Sequence, residues 1–129
     1  MLENVLVLDS ALGLKWFTGT QATQYTAVGK SLTEYFVSTQ FQEKCSGIDF
    51  ASFETIIVGN NQGVGTQVVA LLPLEVRSRI IAVGGSELDK GYRAAYQELG
   101  VEHFATRTTV RAYIKEHFAS IDSSKAAFR

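Results

Sequence analysis

Short apolar runs of four to six residues alternate with segments of helical spacing along most of the chain. Asn4-Val-Leu-Val-Leu-Asp9 is the first run, and Thr55-Ile-Ile-Val-Gly-Asn60, Arg79-Ile-Ile-Ala-Val-Gly84 and His103-Phe-Ala-Thr-Arg107 follow in the second half. Runs that are apolar throughout, rather than at every second position, predict strands buried on both faces of a parallel sheet. Glu34-Tyr-Phe-Val-Ser38 reads either as a further strand or as the continuation of a helix beginning at Gln21, whose Tyr25, Val28 and Leu32 share one face. A second amphipathic stretch carries Phe41, Cys45 and Ile48.

In the second half a short helix is predicted over Thr66 to Leu72, ended by Pro73, because the residue before a proline is steered out of the helical region. The next helix is predicted over Glu87 to Leu99, with Leu88, Tyr92, Ala95 and Leu99 on one stripe, Ser86 as N-cap and Gly100 just past the end. The last starts near Thr108 or Thr109 and presents Val110, Tyr113, Ile114, His117 and Phe118. Strand and helix in alternation predict βαβ units with right-handed crossovers, hence an α/β open parallel sheet with helices on both faces. Ligands of such sheets sit outside the carboxyl ends of the strands. That singles out Asp9, Ser10, Gly59, Asn60, Gly84, Gly85, Ser86, Thr106 and Arg107.

Composition narrows the function classes. The 129 residues suffice for one domain, expected to be ordered over roughly 3–121 with a tail over 122–129. Twelve basic and thirteen acidic residues give a net charge of -1 with no basic stripe, so direct nucleic-acid binding is not expected. No apolar run approaches the ~20 residues of a membrane span, and the start lacks the pattern of a signal peptide. The expectation is a cytoplasmic protein without membrane contact. Cys45, the single cysteine, reads as a buried apolar residue, and His103 and His117 have no second ligand at metal spacing.

From Thr55 to Phe118 the chain resembles the receiver domain of two-component response regulators. Thr55–Asn60 resembles the strand that ends in the phosphoacceptor aspartate, Arg79–Gly84 the strand that ends in a switch hydroxyl, and Leu99–Thr108 the turn and lysine-bearing strand. Asp9 resembles one of the paired acids that hold magnesium. The resemblance implies a three-layer, flavodoxin-like (βα)5 sheet with strand order 2-1-3-4-5. The departures are chemical. The acceptor position falls on Asn60, or on Gly59 if the register slips by one. Ser10 stands where a second acid is usual, Gly84 at the hydroxyl position with Ser86 nearby, and Arg107 in place of the lysine. Phe104 replaces the aromatic that moves on activation.

Phosphoryl transfer needs a nucleophile, a metal and a cation to pair with the product. Here the nucleophile is missing and a lone aspartate is a poor magnesium site. The implied protein is a degenerate, non-catalytic receiver without cofactor or metal, acting through a protein partner or a homodimer. The implied surface is the last two helices with the fifth strand, with Arg93, Gln97, Arg111 and Lys115 as exposed candidates. Asp9 reads equally as a vestigial ligand or as an acidic strand end capping the next turn. Asn60 is expected to hydrogen-bond to Arg107 or Asp9, or else to be a loop asparagine that tolerates a left-handed conformation beside Gly63. The competing reading is a small α/β protein or enzyme that binds a nucleotide-like or other anion with Asn60–Gly65, Gly84–Ser86 and Arg107.

Overall fold

The structure of the chain, a computed structural model, describes residues 5–9, 24–27, 42–43, 45–61, 63–85, 91–106 and 108–117. Five strands form one parallel sheet: β1 (Val5–Asp9), β2 (Gln24–Ala27), β3 (Thr55–Gly59), β4 (Ile80–Val83) and β5 (His103–Ala105). Their spatial order is β2-β1-β3-β4-β5, with every neighbouring pair parallel. The helices that pack on the sheet are α1 (Val64–Ala70), α2 (Tyr92–Glu98) and α3 (Val110–His117).

The apolar runs become central strands because both sheet faces are covered. Leu6, Leu8, Ile56, Val58, Ile80 and Ala82 point to one face, where Val64, Val68 and Val69 of α1 and Tyr96 of α2 meet them. Val5, Val7, Ile57, Ile81 and Val83 point to the other and pack on Val110 and Ile114 of α3. Successive side chains alternate between faces, so a residue's parity fixes which helix it meets.

Several elements depart from the sequence expectation. Gln24–Ala27 is a strand, not the start of a helix, and pairs with β1 in the register Val7 with Tyr25. Helical backbone at 42–43 gives way to a turn at 45–47, although Cys45 and Ile48 do join the core. α1 begins two residues earlier than Thr66, and a 3-10 segment, Leu74–Arg79, follows Pro73. α2 begins at Tyr92, with Gly91 rather than Ser86 at its N-cap. Its most buried residue is Tyr96, which lies off the expected stripe. Glu34–Ser38, Leu88 and Phe118 lie outside the described residues.

Three helix ends are closed by identifiable chemistry. Past α2, Val101 N–H donates to the Tyr96 carbonyl and Gly100 N–H to that of Gln97, the paired bonds of a Schellman ending. The guanidinium of Arg77 donates to the carbonyls of Ala70, Leu72 and Leu99, tying the ends of α1 and α2 together. α3 is preceded by a reciprocal cap: Thr109 N–H donates to Thr106 Oγ1, and Thr106 N–H donates to Thr109 Oγ1.

Candidate functional site at the strand ends

The carboxyl ends of β1 and β3 lie side by side where the chain reverses its direction of travel across the sheet, the position at which ligands of parallel sheets bind. The register pairs Leu8 with Val58, which sets Asp9 against Gly59. A Cβ built on Gly59 would collide with the Asp9 carboxylate. The residue beside Asp9 therefore has no side chain, and the carboxylate already occupies the space one would need.

Asp9 is fully buried. Burial of a carboxylate requires hydrogen-bond partners, because water is no longer there to solvate it. Asn61 supplies one: its Nδ2 donates to Asp9 Oδ1 at 2.6 Å and also lies 3.3 Å from the Gly59 carbonyl. Asn61 reaches back because its φ of 48° is left-handed, a conformation asparagine tolerates better than most residues. In the sequence it falls only within the Asn60–Gly65 segment of the competing anion-binding reading, with no contact to Asp9 expected.

Asn60 does not make the expected contact with Asp9. It shares the parity of Ile56 and Val58, whereas Asp9 shares that of Val5 and Val7, so the two side chains leave the sheet on opposite faces. Asn60 Oδ1 instead accepts from the Tyr96 hydroxyl at 2.8 Å in the core between β3 and α2. Its Nδ2 is buried without a hydrogen-bond partner among the described residues.

The glycines of this turn serve packing. Tyr92 and Tyr96, one helical turn apart on α2, lie over Gly63 and Gly65, where any Cβ would meet a tyrosine ring or hydroxyl. The N–H groups of Gly63 and Gly65 donate to the Asn60 carbonyl, that of Val64 to Asn61 and that of Thr66 to Gly63. The Asn60 N–H donates to the Val83 carbonyl at 2.7 Å. These amides are spent on the turn and the sheet.

Of the other expected residues, Gly84 is buried and donates to the Ala105 carbonyl, while Gly85 is exposed. Ser10, Ser86 and Arg107 lie outside the described residues. Phe104 is half-buried, edge-on to Tyr96 with ring centroids 6.0 Å apart, and Arg93 covers it with its guanidinium carbon 4.4 Å from the ring centroid. Arg93 and Gln97 are exposed on α2, and Arg111 and Lys115 fall within α3.

Among the described residues no three His, Cys, Asp or Glu side chains group to hold a metal ion, and no helix is long and apolar enough to cross a membrane. No protein-family model, curated protein or solved structure matches the chain.

Proposed function

We propose that the chain is a receiver-like signalling module of the flavodoxin-like (βα)5 type, which works by protein–protein contact and does not take up a phosphoryl group. The observation that carries this reading is the pairing of Asp9 with Gly59. A phosphoacceptor would have to share the sheet face of Asp9, and the residue there is a glycine whose side-chain space the carboxylate fills. The strand order and the helices on both faces support the fold part of the reading. In this account regulation comes from a partner, a ligand or abundance, in the cytoplasm.

The contact surface in this reading is α2, β5 and α3, where Arg93 and Gln97 are exposed and Arg93 is held over Phe104. The test is sedimentation of the chain across a concentration series, with and without magnesium and beryllofluoride. The expected result is self-association, weakened by Arg93→Glu with Gln97→Ala and indifferent to the phosphoryl mimic. Association that appears only with the mimic, or that these substitutions leave unchanged, contradicts it.

A further inference from the structure

All the strands run the same way, so the chain enters β3, β4 and β5 at one end of the sheet. The connecting helices α1 and α2 run back and finish at that same end. The large hydrophobic side chains that stay exposed among the described residues both belong there. Leu71, just past α1, is 39% exposed, and Leu74, just past Pro73, is 75% exposed. Scattered single leucines are ordinary on a surface, but here two stand together on firmly held backbone. Arg77 does the holding: its donation to the carbonyls of Ala70, Leu72 and Leu99 keeps both helix ends within the span of one guanidinium.

This end is also acidic. Glu75 adjoins Leu74, Glu98 is the last residue of α2, and Glu54 and Glu102 immediately precede β3 and β5. All these carboxylates are exposed. Two arginines share the region, and both spend guanidinium N–H groups on backbone, Arg77 as above and Arg79 on the carbonyls of Ala51 and Phe53. No ion pair joins Glu75, Glu98 or Glu102 to another described residue.

We propose that this end of the sheet docks a segment of a partner protein that is basic and carries an apolar anchor. The anchor covers Leu71 and Leu74, and lysine or arginine side chains beside it meet the carboxylate rim. Such a rim repels phosphate, which disfavours nucleic acid and anionic membrane. A second copy docked through the same face brings like charges together, which costs affinity. The site lies at the opposite end of α2 from Arg93, so it does not depend on the contact surface of α2, β5 and α3.

The test uses the whole chain, nitrogen-15 labelled, and a short synthetic peptide of lysine and leucine, followed by NMR and fluorescence anisotropy. Saturable binding is expected, with amide shifts centred on Leu71, Leu74, Glu75 and Glu98 and none at Val83 or Gly84. Leu74→Ser, and separately Glu75→Lys with Glu98→Lys, should each weaken it about tenfold. These side chains are exposed, so the thermal unfolding of the variants should match that of the parent chain. A glutamate–leucine peptide lacks the charge and a lysine–serine peptide lacks the anchor, and each should bind at least about tenfold more weakly. No binding, equal binding of either control peptide, or indifference to the substitutions overturns the proposal. Shifts of the same amides with protein concentration alone would assign the surface to a second copy and overturn it equally.

Discussion

Asp9 and Gly59 stand side by side at the ends of neighbouring parallel strands, and the Asp9 carboxylate fills the volume that a side chain at Gly59 would need. Gly59→Ala forces a methyl group into a fully buried carboxylate. We expect a loss of about 1–3 kcal/mol, the usual cost of overpacking a tight interior, measured by urea unfolding. An unchanged midpoint would mean that Asp9 is free to move away.

Asn61 holds the buried carboxylate from the other side. Asn61→Ala removes a buried hydrogen bond to Asp9 Oδ1, and we expect it to cost about 1–3 kcal/mol in the same assay. Asn61→Gly should cost less than Asn61→Ala, because the left-handed backbone at this position strains alanine and not glycine. Equal losses for the two variants would remove the backbone from the explanation.

Asn60 and Tyr96 form a buried pair whose amide nitrogen has no hydrogen-bond partner among the described residues. Tyr96→Phe strands the Asn60 oxygen as well, at an expected cost of about 1–3 kcal/mol. Combining it with Asn60→Leu replaces both polar partners by apolar groups of similar size. The double variant should then be less destabilised than the sum of the single variants, since an apolar pair leaves nothing unsatisfied. Strict additivity in the double-mutant cycle would show that the two side chains do not act together.

How much of this was legible beforehand depended on parity. The apolar runs announced β1, β3 and β4, whose strands are buried on both faces and need no alternation, and the His103–Arg107 run announced β5, which is half-buried at the sheet edge. That same continuity erased the information that assigns Asn60 and Asp9 to opposite faces, because no polar position marks which side is which. Only the pairing of Leu8 with Val58 fixes it. β2 was misread because Tyr25, Val28 and Leu32 are spaced like a helix face, and four residues are too few for strand periodicity to compete. In the competing reading Asn60–Gly65 is an anion site, and the tyrosines that pack on Gly63 and Gly65 lie some thirty residues further on, beyond any local signal.

Cys45 is buried, and desolvation pushes its thiol above the ordinary range. The raised folded-state value favours the protonated thiol in the native chain. This contribution to stability is complete below the ordinary thiol range and lost as pH rises through the folded value. We expect a thiol reagent near about pH 8 to label the native chain at least about tenfold more slowly than the denatured chain, because the thiolate is the reactive form. Equal labelling rates would place the thiol in water.

The strand-end account is tested most directly by intact-mass spectrometry after incubation with magnesium and a small-molecule phosphodonor, with a known phosphorylatable receiver as the positive control. The expected result is a single unmodified species, because no carboxylate stands beside Asp9 on its face of β3 and Asp9 itself is enclosed. A stoichiometric, acid-stable and base-labile phosphoryl adduct on Asp9 or any other carboxylate would contradict it.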